Sequence, residues 1–168
     1  VQRPALLLAD DMGLGKTIQA IAALRVLAHS GNLQCALVVA PAGLLIQWRR
    51  AFRQIAPEFR LCAVEGPVEE RAWQWRAEAH VLIVSYETLR QDMGAGPLAP
   101  PRTVYWDVVI LDEAQKIKNR DVETARVCKL LPRRRAWALT GTPLENKVDE
   151  LASILEFTRP LDPSGDLV

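Results

Sequence analysis

Little in this chain of 168 residues would cross-link it or anchor it in a lipid bilayer. Its three cysteines, Cys35, Cys62 and Cys128, lie far apart, form no Cys-x-x-Cys pair and build no disulfide framework. That usage favours a reducing cytoplasm, with the thiols as small core side chains. Long apolar runs are also missing. Ala36 to Ile46, eleven residues interrupted by Pro41 and Gly43, is the longest, whereas a membrane span takes about 18 or more. The opening residues lack the basic, apolar, small-residue order of a signal peptide. No charge of one sign dominates: 21 Lys and Arg face 20 Asp and Glu, a net charge of +1. General attraction to polyanions is therefore excluded, and any nucleic-acid surface must be a local patch. Repeats and low-complexity segments are absent.

What is present is globular composition, 49% hydrophobic and 24% charged, at a length that suits one domain, residues 1–168. Short apolar runs alternate with helical patterns. Strands are expected at Leu6–Ala9, Ala36–Ala40, Leu61–Val64, Val81–Val84, Val108–Leu111 and Ala136–Leu139. Between them, Ile18, Ile21, Ala22 and Leu24 have helical spacing, residues 43–55 and Val68–Ala79 read as helices, and Asn119 or Asp121 is placed to cap a helix stopping at Pro132. Asp92–Thr103, with two glycines and three prolines, reads as a loop. Val148, Leu151, Ala152 and Leu155 fit one face of an amphipathic helix. Strands apolar on every residue are covered on both faces, so the pattern predicts a parallel sheet with helices on both sides, a doubly wound α/β domain. Ligands bind such domains at the carboxyl ends of the strands.

Three segments stand at those ends. After the first strand, Gly15-Lys16-Thr17 fits the end of the phosphate-loop pattern Gly-x4-Gly-Lys-Ser/Thr, with Asp10 where the first glycine belongs. Backbone N–H groups from about Gly13 to Thr17 can cradle phosphates at a helix N-terminus. Lys16 would reach the β and γ phosphates and Thr17 would ligate Mg²⁺. After the fifth strand, Asp112 would hold Mg²⁺ through water and Glu113 would orient and deprotonate an attacking water. After the sixth, Thr140 and Thr142 flank Gly141, placed to relay the phosphate state to another surface. A plain glycine turn, a helix cap and a capped turn are the respective structural alternatives.

Together these residues resemble a known family. Leu8 to Gln19 (with Asp10-Asp11-Met12-Gly13-Leu14-Gly15-Lys16-Thr17), Val39-Ala40-Pro41 with Trp48, Ile83-Val84-Ser85-Tyr86-Glu87-Thr88, Asp112-Glu113-Ala114-Gln115 with Lys118-Asn119, and Leu139 to Asn146 occur in the order seen in the Swi/Snf family of helicase-like, DNA-dependent ATPases of superfamily two. The resemblance covers Leu8 to about Phe157, and the aspartate in place of the first glycine is this family's own variant. It implies the first, N-terminal RecA-like lobe: a three-layer α/β/α phosphate-loop NTPase domain with a mainly parallel sheet, in which the strand of Leu139 lies between those of Leu7 and Ile110. It implies ATP and Mg²⁺ as cofactors, with Asp11, Met12, Gly13, Leu14, Gly15, Lys16, Thr17 and Ile18 against the nucleotide. Catalysis falls to Lys16, Asp112, Glu113 and Gln115, and coupling to Thr140, Gly141 and Thr142. Gln115 stands where eukaryotic members often carry His, as in some bacterial members; it can still hydrogen-bond to the sixth strand.

The resemblance also places duplex DNA, held mainly by its phosphates, on Pro41, Gly43 and Trp48 and on Ser85 and Tyr86; for Trp48, in the middle of a helix, core packing is the structural alternative. It implies a second RecA-like lobe, supplying arginines to the ATP site, that 168 residues do not encode. The chain is thus expected to be part of a larger cytoplasmic or nucleoid protein that moves on duplex DNA or remodels protein–DNA complexes. A strand-separating helicase, a phosphate-loop ATPase not acting on nucleic acid, and a non-catalytic nucleotide-binding module are the alternatives. Of the remaining residues, Arg133-Arg134-Arg135 reads as a solvated loop at the opposite edge of the sheet. Trp73 and Trp75 fall on different helix faces, so at least one is exposed, and Tyr105 and Trp106 anchor the fifth strand.

Overall fold

A computed structural model describes residues 4–9, 15–118, 122–141 and 148–159, with 148–150 as backbone alone. The chain runs β1 (Ala5–Ala9), α1 (Lys16–His29), β2 (Ala36–Ala40), a 3₁₀ turn at Ala42–Leu44, α2 (Leu45–Ile55), β3 (Leu61–Val64), α3 (Val68–Gln74), β4 (Val81–Ser85) and α4 (Tyr86–Met93). It continues through a 3₁₀ turn at Gly96–Leu98, the short α5 (Pro100–Thr103), β5 (Val108–Leu111), a 3₁₀ turn at Ala114–Ile117, α6 (Glu123–Lys129), β6 (Ala136–Thr140) and α7 (Val148–Phe157).

All six strands form one sheet in the order β1-β6-β5-β2-β4-β3, and every pairing is parallel. β6 therefore lies between β1 and β5, as the family resemblance implies. β2, β4, β5 and β6 are buried at every residue, because alternate side chains enter two separate cores. On one face, Ala36, Val38, Ile83, Ile110, Trp137 and Leu139 pack beneath α1 and α2. On the other, Leu37, Val39, Val84, Leu111 and Ala138 pack beneath α4, α6 and α7. Burying each large aliphatic side chain stabilises by roughly 1.5–3 kcal/mol, so neither face tolerates a charge. α1 buries Ala20, Ile21, Leu24 and Leu27, and α2 buries Leu45, Trp48 and Phe52, both at the spacing of a one-sided helical stripe.

Four expectations change. α3 ends at Gln74 instead of Ala79. There the chain turns the Trp75 ring inward, and its Nε1 donates to Asp92 Oδ2 at 2.7 Å. Asp92–Thr103 is not simply a loop: Asp92 and Met93 complete α4, and the prolines stand in the first turns of the Gly96–Leu98 and Pro100–Thr103 segments, where a missing N–H removes no helical bond. α6 stops at Lys129, well before Pro132, and Val122 precedes it; Asn119 and Asp121 lie outside the described residues. α7 turns a different face inward. Ser153, Ile154 and Phe157 are buried and Leu155 is 46% exposed, because Ser153 donates to the Ile117 carbonyl at 2.6 Å and accepts from Lys129.

Candidate nucleotide site

The carboxyl ends of β1, β6 and β5 are adjacent, and the residues that follow them converge. Gly15 has φ 75°, a left-handed conformation open to glycine, and it turns the chain directly into α1. Among the described residues no side chain caps that helix, and Lys16 and Thr17 are its first two residues. Its leading N–H groups therefore point toward the strand ends, the arrangement that suits an anion. Ile18 is 55% exposed beside them. Asp11, Met12, Gly13 and Leu14 fall outside the described residues.

Asp112 is the fixed point of the site. Its N–H donates to the Val39 carbonyl at 2.8 Å, and its own carbonyl accepts from the Tyr86 hydroxyl at 2.7 Å. Oδ1 accepts from the Glu113 N–H at 3.0 Å, and Oδ2 accepts from Trp48 Nε1 at 2.8 Å. Burial pushes the carboxyl above its ordinary range, while the Trp48 and Glu113 donors and then the positive charge of Lys16 pull it back. Lys16 and Asp112 thus sense one another across the strand ends. Burial likewise pushes the Tyr86 phenol far up, which keeps it a donor.

Glu113 is, among the described residues, the one non-glycine with positive φ, at 49°. Gln115, two residues on, donates from Nε2 to Glu113 Oε2 in a short contact, and its Oε1 accepts from the Thr140 hydroxyl at 2.9 Å. Thr140 pairs with Ala9 at the end of β1. One chain of contacts therefore runs from β6 through Gln115 to Glu113. Gly141 follows, buried, and Thr142 lies outside the described residues. Hard oxygens on Asp112 and Thr17, a lysine and an uncapped helix start match the needs of a nucleotide triphosphate with Mg²⁺. Among the described residues no group of three or more His, Cys, Asp or Glu forms a separate metal site.

Residues 2–163 match the SNF2-related domain. The chain belongs to that family. This SNF2-related domain is 37% identical to "Helicase ssl-1" of Caenorhabditis elegans over 160 residues, which is 92% of this chain and 6% of that protein. It is 38% identical to "Helicase domino" of Drosophila melanogaster, over 92% of this chain and 5% of that protein. An "Uncharacterized ATP-dependent helicase" of Mycoplasma pneumoniae is 37% identical, over 92% of this chain and 15% of its own length. The chain therefore spans a small part of these relatives. Identity is near equal to animal and bacterial proteins, so similarity does not single out a bacterial type. Among solved structures, the Sulfolobus solfataricus SWI2/SNF2 ATPase core in complex with dsDNA superposes with a TM-score of 0.82 at 35% identity, covering 93% of this chain and 31% of that one. The same core domain described without dsDNA gives 0.74 at 33% identity. The RecA-like fold of the SNF2 ATPase core is thus the fold of this domain.

Of the residues expected on DNA, three have side chains that point inward. Trp48 is 1% exposed, Tyr86 2% and Ser85 5%. Trp48 and Tyr86 are spent on Asp112, as above, and Ser85 Oγ accepts the Thr88 N–H to cap α4. Their side chains do not form a nucleic-acid surface. Gly43 is exposed and Pro41 half-buried at the start of the 3₁₀ turn and α2, so these two remain at the surface.

The arginine run also departs from expectation. Arg134 is exposed, but Arg133 is 1% exposed and Arg135 6%. Arg133 donates to the carbonyls of Phe157, Leu131 and Lys129, and its guanidinium stacks 4.5 Å from the Phe157 ring centre. It joins the ends of α6 and α7. Trp73 is 76% exposed and Trp75 is buried, consistent with their different faces. Trp106 is buried, with Nε1 donating to the Pro101 carbonyl at 3.0 Å, whereas Tyr105 is 40% exposed.

Proposed function

We propose that this domain is the ATP-binding lobe of a DNA-dependent ATPase that couples hydrolysis to movement on duplex DNA. The observation that carries the reading is the convergence of Lys16, Asp112, Glu113, Gln115 and Thr140 at adjacent strand ends. Lys16 and the α1 N–H groups bind the phosphates. Thr17 and Asp112 would hold Mg²⁺, which when bound neutralises charge on the phosphate oxygens. Glu113 takes the proton from the attacking water, and Gln115 holds Glu113 in place against Thr140. The left-handed backbone at Glu113 turns the chain out of line with β5 at this point.

Duplex DNA is supported by the dsDNA complex of the Sulfolobus neighbour. Exposed N–H groups near Gly43, with Arg50 and Arg53 along the outer face of α2, suit phosphate contacts that every DNA register offers. A second lobe supplies the arginine that stabilises the departing γ-phosphoryl group, an effect of roughly 10³–10⁵ in rate in related enzymes. Unpaired cysteines suit a reducing compartment, and among the described residues no helix is long and apolar enough to cross a membrane.

The test is steady-state ATP hydrolysis by the full-length protein with and without duplex DNA. DNA should stimulate turnover. Lys16→Ala should abolish nucleotide binding, whereas Glu113→Gln should bind nucleotide and lose turnover by about 10²-fold or more. Normal turnover by Glu113→Gln would refute the base, and turnover indifferent to DNA would refute the coupling.

A further inference from the structure

Asp112 has four polar atoms outside its α-carbon, and the protein engages all of them: the N–H with Val39, the carbonyl with Tyr86, Oδ1 with the Glu113 N–H and Oδ2 with Trp48. A carboxylate held this way has one orientation. The two side-chain donors come from opposite faces of the sheet. Trp48 packs in the core beneath α1 and α2, and Tyr86 in the core beneath α4, α6 and α7. Each sits close to a helix start: Tyr86 is the first residue of α4, and Trp48 lies one turn into α2. Both helices follow central strands, β2 and β4, that lie side by side, with β2 bordering β5.

We infer that Trp48 and Tyr86 are positioning residues that clamp Asp112 from the two faces of the sheet, so that a ligand on the segments entering α2 and α4 and a nucleotide beside Asp112 sense each other through these two hydrogen bonds. A shift of α2 or α4 pulls directly on the carboxylate or on its peptide. Packing alone would not do this, since apolar contacts slide at little cost in direction while a 2.8 Å bond to one oxygen does not. Both rings are fully enclosed, so neither donor has water as a substitute partner, and removing one leaves Asp112 with an unmet acceptor.

The inference rests on the function proposed above, and binding measurements separate the two. In the full-length protein, the affinity for labelled duplex DNA is measured by anisotropy with and without a non-hydrolysable ATP analogue and Mg²⁺. The ratio is the coupling factor; such factors commonly run from about 5 to 150, and the same factor must appear in nucleotide affinity when DNA is added. Trp48→Phe keeps an aromatic ring without the N–H, and Tyr86→Phe removes a single oxygen. Each should lower the factor at least about threefold, and the double variant should bring it close to 1. A general loss of folded protein cancels in the ratio, so a merely structural role would leave it unmoved. Should Trp48→Phe not fold, Tyr86→Phe decides. A parent that binds no duplex DNA overturns the proposed function. A parent that binds both ligands with no coupling, or variants with the parent's coupling, overturn this inference alone.

Discussion

The Thr140 hydroxyl at the end of β6 donates to Gln115 Oε1 at 2.9 Å, in the 3₁₀ turn 25 residues earlier in sequence. Because the Gln115 amide has one acceptor and one donor end, this bond sets which way the amide faces, and so presents Nε2 to Glu113. Thr140→Val preserves shape and removes the donor. Turnover by the full-length protein should fall about two- to tenfold, with nucleotide affinity unchanged, since the loss acts on the proposed base and not on phosphate binding. An equal loss in affinity would show that Thr140 touches the nucleotide instead.

Gly43 is exposed, has no unusual φ and meets nothing within 4 Å of where a Cβ would stand. Gly43→Ala should therefore leave duplex binding nearly as it was. Gly43→Glu places a negative charge where a phosphate is proposed to sit, and should weaken binding about tenfold or more. DNA affinity of each variant measured across a salt series checks this. Equal affinities for the two would take the phosphate off this segment.

Arg133 is a structural cation. Burial draws its guanidinium down to about 10, so it stays charged at neutral pH. Three carbonyl partners and the Phe157 ring surround it. Arg133→Ala leaves the carbonyl ends of α6 and α7 without donors and should destabilise the domain by about 3 kcal/mol. A lowered urea midpoint at unchanged slope is the expected signature. A change below about 0.5 kcal/mol would mean that the arginine is surface-like.

Cys128 is fully enclosed, and burial pushes its thiol from the ordinary value near 9 up to about 12. The native state thus holds the proton where the unfolded chain releases it. The stability this contributes is whole below about pH 9 and is lost as pH rises toward 12, at about 1.4 kcal/mol per pH unit from this one group. Cys128→Ala should flatten the alkaline limb of stability against pH. Identical limbs would place the loss in other groups.

The four central strands were legible in the sequence because a fully buried parallel strand is apolar nearly throughout, a pattern that Val-Val-Ile-Leu at β5 meets without exception. The strand ends were legible for the same reason: the first polar residue after the run marks where the chain leaves the core. What the sequence hid were polar side chains whose partners lie far away in the chain. Trp48 is drawn inward by a carboxylate 64 residues on, Arg133 by a carbonyl 24 residues on and Ser153 by a carbonyl 36 residues back. No local periodicity records such partners. An arginine run reads as solvated, and a motif tryptophan in the middle of a basic helix reads as core packing or as a DNA contact, until the third dimension supplies the acceptor.

The left-handed backbone at Glu113 sets protein stability against retention of the proposed base. That conformation costs an ordinary side chain about 1 kcal/mol or more, and glycine almost nothing. Glu113→Gly should therefore raise the unfolding midpoint while it abolishes hydrolysis. Selection for a sturdier domain alone would erase the glutamate, so its presence at an unfavourable backbone angle is a mark of use.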